Sequence, residues 1–214
     1  MDFATGTGSF LAEVFETIIK EEKSPVFKID NIKNKFLKDV YGFEMMFVPY
    51  IVAHLKLSKI LKNEGFNSFN DENKLQIYLT NTLDLEQRGL HMSMPLLLLE
   101  EEHQKAQKIK NSEDILVILG NPPYNNKSKN RGNKIIALLD KYKKDLNETK
   151  INLDDDYIKF IRFADWKLID QWQNNLISPD RKGVMGFITN NSFIWGRTHR
   201  QMRKSLYENF DEIY

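Results

Sequence analysis

The residues whose types and spacing are best suited to chemistry form one short run, Asn121-Pro122-Pro123-Tyr124. It follows residues 115–119, a nearly all-apolar segment typical of a parallel strand that is covered on both faces. A structural turn would explain the two prolines, but not the asparagine before them or the aromatic ring after them. The run suits a planar amino group, because an asparagine oxygen and a proline carbonyl can each accept one of its two N–H bonds. The prolines hold those acceptors at a fixed spacing, and the tyrosine offers a flat face for stacking.

A second candidate lies at the start of the chain, in a glycine-rich segment that opens onto a predicted helix over residues 9–22. The segment reads Asp2-Phe3-Ala4-Thr5-Gly6-Thr7-Gly8. Glycines permit positive φ and the close approach of a ligand to the backbone. No Gly-Lys-Ser/Thr follows, and the third glycine of the dinucleotide fingerprint is missing. From the residues alone, both a tight turn and a loop for a nucleotide-like cofactor remain open.

The elements that must position these residues alternate along the chain. Hydrophobic periodicity predicts strands over residues 40–43, 75–79, 115–119 and 183–188, with a further strand beginning at 212–214. It predicts helices over residues 9–22, 45–61, 100–109, 157–176 and 198–207, the second of them kinked or started near Pro49. Strands separated by helices indicate an open parallel sheet, in which ligands bind beyond the carboxyl ends of the strands. Polar residues lie within two positions after three of these strands, namely Glu44, Asn81 and Asn121.

In content and order these segments resemble the S-adenosylmethionine-dependent methyltransferases that act on the N6 amino group of adenine in DNA. The run Asn121–Tyr124 matches the catalytic motif of that family residue for residue, and the resemblance extends over the whole chain. The glycine-rich segment resembles the cofactor loop of the family, with Phe3 where proline is usual. The resemblance implies that its leading acid holds the methionine part of the cofactor. The implied cofactor-binding residues of this loop are Asp2, Ala4, Thr5, Gly6 and Gly8.

Further segments resemble the other motifs of the family. The segment Tyr41-Gly42-Phe43-Glu44 resembles the second motif, which implies that Glu44 bonds the ribose hydroxyls of S-adenosylmethionine. Residues 78–83 resemble the motif that contacts the adenine of the cofactor, with Asn81 as first candidate and Asp84 as second. Residues 155–160 and 186–193 resemble the two motifs that follow the catalytic one.

The motif order is that of the gamma arrangement, and the likeness is closest to methyltransferase modules of large single-chain restriction-modification enzymes. It implies an α/β fold, the Rossmann-like S-adenosylmethionine-dependent methyltransferase fold, with a mostly parallel sheet, helices on both faces, and an incomplete set of strands. Residues 1–214 are predicted to form a partial methyltransferase catalytic domain. The first strand, the C-terminal strands and the target-recognition domain of the family are expected outside this stretch. We therefore expect little or no activity from the chain alone, and implied partners are double-stranded DNA and the remaining segments of the same enzyme.

Two clusters of basic residues bear on nucleic-acid binding, although the net charge is only +1. DNA binding requires a basic face rather than a basic total. Lys127, Lys129 and Arg131 follow the catalytic run, which places them well for holding phosphates beside a flipped nucleotide. A second cluster comprises Arg197, Arg200, Arg203 and Lys204. Ordinary solvated surface charge remains the alternative for both clusters.

Composition excludes several classes of protein. The absence of cysteine excludes disulfides, thiolate metal sites and cysteine nucleophiles. The four histidines show no ligand spacing, so no metal is expected. The longest apolar run, residues 95–99, is too short to span a membrane, which takes about 20 residues, and is predicted to lie in the core. A cytoplasmic protein fits best.

Other substrates and one non-enzymatic role remain open. Asn-Pro-Pro-Tyr also serves enzymes that methylate glutamine side chains in proteins, and some guanine-N2 RNA methyltransferases. All of them present a planar amino group. The alternative outside catalysis is a remnant or subunit that binds DNA or cofactor without turnover.

Overall fold

The computed structural model describes residues 1–20, 22, 24–70, 72–86, 97–148, 153–172 and 182–214, with the backbone alone at 97–99. The chain divides into two compact units. The first comprises Met1–Thr82 and Met92–Ala106, and the second comprises Leu83–His91 and Gln107–Tyr214. No described helix is long and apolar enough to cross a membrane.

The first unit surrounds a pair of parallel strands, β1 (Tyr41–Glu44) and β2 (Gln76–Leu79). Gly42 lies opposite Ile77 in their register. The helices before β1 are α1 (Ser9–Lys20), α2 (Pro25–Asn31), a π-helical turn (Ile32–Phe36) and α3 (Leu37–Asp39). The helix between the strands is α4 (Phe47–Asn63), and α5 (Leu97–Ser112) follows β2 and runs across the boundary between the units.

The core of the first unit joins α1 and α4 to the strand pair. The apolar stripe of α1 contributes Leu11 and Phe15, and α4 contributes Leu57 and Leu61. The rings of Phe15 and Phe36 pack edge to face with centroids 4.9 Å apart, a favourable geometry for aromatic pairs. Burial of this stripe holds the start of α1, and with it the glycine-rich segment, against β1.

The second unit contains the parallel strands β3 (Val117–Gly120) and β4 (Val184–Phe187). Its helices are α6 (Asn133–Lys143), α7 (Asp156–Leu168), α8 (Ser192–Trp195) and α9 (Arg200–Asn209), with 3-10 turns at Asp170–Trp172 and Arg197–His199. Leu139, Ile158, Ile161 and Met202 form a core that joins α6, α7 and α9.

The α/β class predicted from the sequence is confirmed, and the described strands form two parallel pairs. Each of the four complete strands lies within two residues of its predicted bounds. Helix α4 begins two residues before Pro49, so this proline occupies the first turn, where a missing N–H costs no hydrogen bond.

Two predicted elements differ from the structure, and one prediction falls mostly outside the described residues. The strand expected to begin at 212–214 is wrong, because these residues have no ladder partner in the described part of the chain and Tyr214 is fully exposed. The helix predicted to reach residue 176 ends at Leu168 and continues into a 3-10 turn. Residues 173–176 lie outside the described residues, as do residues 95–96 and the side chains of 97–99, so the predicted burial of residues 95–99 is untested.

Candidate active site and cofactor loop

The glycine-rich segment is joined to β1 by backbone hydrogen bonds. Asp2 N donates to Tyr41 O at 2.8 Å, and Phe43 N donates to Asp2 O at 2.9 Å, which forms a parallel bridge between Asp2 and Gly42. Thr5 N donates to Phe43 O at 2.9 Å and extends the same ladder. The segment therefore runs beside β1 and leads into α1 at the carboxyl end of the strand.

Two glycines of this loop have left-handed backbones, for different reasons. Gly6 has φ +55°, and a Cβ added there would meet no atom within 4 Å. Gly8 has φ +78°, and a Cβ there would lie 3.2 Å from Ala53 Cβ. Gly8 is therefore required both by its conformation and by the close approach of α4, whereas the side of Gly6 faces open space.

The carboxylate of Asp2 is fully buried and only partly satisfied. Its Oδ1 accepts Ala4 N at 3.1 Å, while no described residue donates to Oδ2. Burial raises the pKa of Asp2 to about 7. The Ala4 N–H and the charge of the N-terminal ammonium lower this pKa, and the charge of Glu44 raises it. A buried carboxylate with an unfilled acceptor is poised to receive a cationic donor.

Glu44, at the end of β1, links the loop to the start of α4. Its Oε2 accepts Gly6 N at 2.8 Å, and its Oε1 accepts Met46 N at 2.7 Å. Each carboxylate oxygen has two lone pairs, so each retains one acceptor position for another partner. The structure thus brings the predicted residue Glu44, at the end of β1, into contact with the glycine-rich loop that contains Asp2 and Gly6.

Past β2, the chain places the two adenine-contact candidates in different units. Asn81 is half-buried in the first unit, directly after Thr80, whose N–H donates to Glu44 O at 2.8 Å. Asp84 belongs to the second unit. Its carbonyl accepts Gln107 Nε2 at 2.8 Å and Lys110 Nζ at 3.1 Å.

Thr82 contacts the glycine-rich loop but is not a candidate from the sequence. The hydroxyl of Thr82 donates to Phe3 O at 2.5 Å, which attaches the segment after β2 to the glycine-rich loop. Thr82 lies within the segment that resembles a cofactor motif. However, a threonine that bonds a backbone carbonyl leaves no distinctive pattern in the sequence.

The run Asn121–Tyr124 leaves the carboxyl end of β3 as an exposed loop in the second unit. Asn121 and Pro123 are exposed, whereas Pro122 is buried. The Tyr124 hydroxyl lies 3.5 Å from Asn121 Oδ1 and 3.4 Å from the carbonyl of Ile188, which follows β4. These long contacts orient the tyrosine across the asparagine and leave the Asn121 amide accessible.

The ring of Tyr124 packs against a second tyrosine. It meets Tyr157 of α7 edge to face, with centroids 6.0 Å apart, and remains 52% exposed. The Tyr157 hydroxyl pairs with Ser192 Oγ at 2.9 Å. Tyr157 and Ser192 come from the two segments that resemble later family motifs, and the structure brings both to the edge of the candidate catalytic loop.

The basic clusters differ in accessibility. Lys127, Lys129 and Arg131 are all exposed. In the second cluster Arg203 donates to the carbonyls of Phe193 and Gly196, each at 2.7 Å, and Arg200 pairs with Glu148. The first cluster is therefore available to a partner, whereas these two arginines of the second help to hold the unit together.

Two clefts in the described part of the first unit are not lined by the glycine-rich loop. A cleft of about 400 Å³ is lined by His54, Lys62, Lys74, Tyr78 and Glu102. A second, of about 320 Å³, lies between α1, α2 and α4. Among the described residues no group of three histidine, aspartate or glutamate side chains is placed to hold a metal ion.

Comparison with known proteins gives matches in structure but not in sequence families. No protein-family model matches the chain, and no curated protein matches it significantly. The ATP-dependent Type ISP restriction-modification enzyme LlaBIII bound to DNA is 28% identical, with a TM-score of 0.69 over 96% of this chain and 14% of that one.

Two other solved structures have the same fold at lower identity. A nuclease-deletion mutant of the Type ISP restriction-modification enzyme LlaGI, in complex with a DNA substrate mimic, is 23% identical, with a TM-score of 0.73 over 98% of this chain and 17% of that one. The DrdV–DNA complex is 23% identical, with a TM-score of 0.69 over 98% of this chain and 19% of that one. The chain thus has the α/β fold of a segment found in the restriction-modification enzymes LlaBIII and LlaGI and in DrdV, and it spans less than a fifth of each.

Proposed function

We propose that this chain is the catalytic segment of a restriction-modification enzyme that transfers a methyl group from S-adenosylmethionine to adenine N6 in DNA, through a Rossmann-like methyltransferase fold. The structural likeness to LlaBIII supports the restriction-modification assignment. The type of reaction rests on the residues of the loop after β3. DNA as substrate is supported by the exposed basic cluster beside that loop and by the DNA in the related structures.

The observation that carries the proposal is the exposed amide of Asn121 at the end of β3, beside a half-exposed tyrosine ring. The exocyclic nitrogen of adenine is a poor nucleophile because its lone pair is delocalised into the ring. When Asn121 Oδ1 and the Pro122 carbonyl accept its two N–H bonds, lone-pair density is directed towards an electrophile. Tyr124 would stack on the base, and fixed geometry of this kind can supply about 7–11 kcal/mol of the acceleration.

The residues of the glycine-rich loop suit S-adenosylmethionine in charge. Asp2 Oδ2 can accept a hydrogen bond from the ammonium of the methionine part of S-adenosylmethionine, and the free lone pairs of Glu44 can accept hydrogen bonds from the ribose hydroxyls. Gly6 leaves open space beside the backbone for the approach of a ligand. When bound, the cofactor supplies a methyl group on a sulfonium. The new N–C bond replaces the C–S bond, and the amino group gives a proton to water.

The target base must leave the duplex before it can meet this loop. Flipping a base costs a few kcal/mol in lost stacking and pairing. Cations beside the catalytic run offset that cost by binding the phosphates around the flipped nucleotide. Lys127, Lys129 and Arg131 occupy this place in the sequence, and all three side chains are exposed.

Labelled methyl transfer to pools of DNA, RNA and protein tests the proposal against its alternatives. The assay is run on the longest polypeptide that contains this chain, with label on the methyl group of S-adenosylmethionine. We expect label in DNA, recovered as N6-methyladenine after digestion to nucleosides. Label recovered only as methylglutamine in protein or as methylguanine in RNA would contradict the proposal.

A further inference from the structure

In the loop after the catalytic run, residues 127–131, exposed side chains alternate with buried or partly buried ones. Lys127, Lys129 and Arg131 are exposed, while Ser128 is buried and Asn130 is partly buried between them. We call the three exposed cations the basic rail. Residues 126–127 form a turn, and from Lys127 to Arg131 an inward residue stands between each pair of exposed cations.

The inward residues are held by two buried charges on the first turn of α7. Ser128 Oγ and Asn130 Nδ2 donate to the same oxygen of Asp156, Oδ1, at 2.5 and 2.8 Å. Lys159 Nζ donates to Ser128 Oγ at 2.8 Å and to the carbonyl of Asn130 at 2.7 Å. Asp156 and Lys159 are 4% and 1% exposed, respectively.

Because these charges are buried, they favour a single position of the loop. A buried charge without hydrogen bonds is strongly unfavourable, so Asp156 and Lys159 require the polar groups of the loop. The acid also lies in the first turn of α7, where the helix dipole favours a negative charge. A second attachment lies upstream, where Asn125 N donates to Asp155 Oδ1 at 2.9 Å. The loop is thereby fixed to α7 at both ends of the rail.

A nearby lysine provides a contrast within the same basic stretch. Lys134 lies in α6, donates from Nζ to Asn111 Oδ1 at 2.5 Å, and lies 4.7 Å from the centre of the Trp166 ring. Its charge is engaged inside the unit. A basic residue near this loop in sequence is therefore not necessarily part of the rail. The rail cations belong to the loop segment whose inward residues are bonded to α7.

We propose that Asp156 and Lys159 are positioning residues, which hold Ser128 and Asn130 so that the basic rail meets successive phosphates of one DNA strand beside the target nucleotide. This inference rests on the proposed function, because it takes DNA as the substrate. Its distinctive consequence is that DNA affinity depends on residues of the loop that carry no charge.

The test is the salt dependence of binding to a mixed-sequence DNA duplex, measured by fluorescence anisotropy between about 50 and 200 mM salt. Each phosphate contact contributes about 0.9 to the slope of log affinity against log salt. Lys127→Gln is expected to lower the slope by about 0.9, and Lys134→Gln is expected to leave it unchanged. The double variant Ser128→Ala/Asn130→Ala, which removes no charge, is expected to lower the slope by about 0.9 or more.

Controls separate positioning from general damage to the fold. Asn126→Ala changes an exposed residue of the same loop and is expected to retain the parent slope. Lys159→Met removes both lysine hydrogen bonds with little change in volume, and is expected to reproduce the double variant. Circular dichroism and binding of S-adenosylmethionine are expected to match the parent chain for every variant compared.

Two outcomes would overturn the inference. One is parent-like slope and affinity in a folded Ser128→Ala/Asn130→Ala variant, and the other is equal loss of slope in Lys134→Gln and Lys127→Gln. If methyl transfer to DNA is present while the anchor variants behave like the parent, only the inference fails. If the slopes change as expected while adenine is never methylated, the proposed reaction fails and the rail stands.

Discussion

At the scale of single residues, the burial of the Asp2 carboxylate raises its pKa, and this pKa sets the pH dependence expected for cofactor binding. Its pKa of about 7 in the folded chain lies above the ordinary value of 3.8, chiefly because of burial. The folded state therefore binds a proton that the unfolded state loses, so this residue lowers stability as pH rises from about 3.8 to about 7. A bound ammonium favours the charged form, so cofactor affinity is expected to rise as pH increases through about 7.

The substitution Asp2→Asn tests this role. We expect affinity for S-adenosylmethionine at pH 8 to fall by roughly 10- to 150-fold, the loss typical of a charge-assisted hydrogen bond worth about 1.5–3 kcal/mol. Titration calorimetry measures the affinity, and the pH dependence of binding through neutrality should disappear with the carboxylate. Asp39→Asn, at an exposed position, is the matched control. Equal affinity in the Asp2 variant and the parent chain would remove Asp2 from the cofactor site.

A pair of glycine substitutions tests the packing of the loop. Gly8→Ala should destabilise the chain by several kcal/mol, since the left-handed backbone costs about 1–2 kcal/mol for other residues and overpacking adds about 1–3 kcal/mol. Gly6→Ala has the backbone cost alone, because no atom lies near its added Cβ. Urea unfolding measures both. A Gly6 variant as unstable as the Gly8 variant would show that the approach of Ala53 does not decide the difference.

At the scale of elements, helix α7 is nearly all buried although it carries several charges. Arg162 and Asp165 pair at 2.9 Å, and Arg162 also reaches Asp170 at 2.5 Å. Tyr142 of α6 donates to Asp165 at 3.1 Å, and Asn209 of α9 donates to the same carboxylate. This network fixes α7 between α6 and α9. The candidate catalytic tyrosine contacts α7 through Tyr157, so the network also supports the candidate site.

Removing one partner of this network should be costly. Arg162→Met is expected to lower the free energy of unfolding by about 3–5 kcal/mol, because it leaves buried carboxylates without their cation. Lys204→Met, which breaks an exposed pair with Glu208, is expected to change it by less than about 1 kcal/mol. Chemical unfolding of both variants measures the difference. Similar values for the two would show that the buried network contributes little.

Short sequence patterns predict the strands and the loop before α1. Apolar runs located the four complete strands, and the glycines located the loop before α1. Helices α2, α3, α6 and α8 are not among the predicted helices. Three of them, α2, α3 and α8, have only 7, 3 and 4 residues, too few for a periodic pattern, whereas in α6 Ile135, Leu139 and Tyr142 do follow helical spacing. The sequence of α7 carries several charges and therefore resembles that of a surface helix. The partners that allow these charges to be buried, such as Asn209, are remote in sequence.

The sequence predicts candidate residues for the site but not the contacts between them. Asp2, Gly6 and Glu44 are candidates by their motifs, and in the structure Glu44 at the end of β1 contacts the loop that contains the other two. The sequence could not show that Glu44 bonds the backbone of Gly6, or that Lys134 turns inward while Lys127 remains exposed. Those outcomes depend on packing across the fold rather than on spacing along the chain.

At the scale of the whole molecule, the chain is almost neutral, and it has the fold of a segment that makes up 14–19% of larger DNA-bound enzymes. A net charge of +1 gives little long-range attraction to DNA, so binding depends on local features such as the basic rail. The predicted cofactor loop belongs to the first unit and the catalytic run to the second. Product formation is therefore the appropriate readout for the proposed methyl transfer at this scale.

The most direct measurement of the central claim is the amount of N6-methyladenine formed in unmethylated DNA by the longest polypeptide that contains this chain. It is compared between the parent sequence and Asn121→Ala, with binding of S-adenosylmethionine measured in both. We expect methyladenine from the parent, a loss of at least about 100-fold in the variant, and equal cofactor affinity, since the loss of a preorganised polar group typically costs about 10²–10³ in rate. Unchanged methylation by the variant, or no methyladenine from a parent protein that binds the cofactor, would contradict the account.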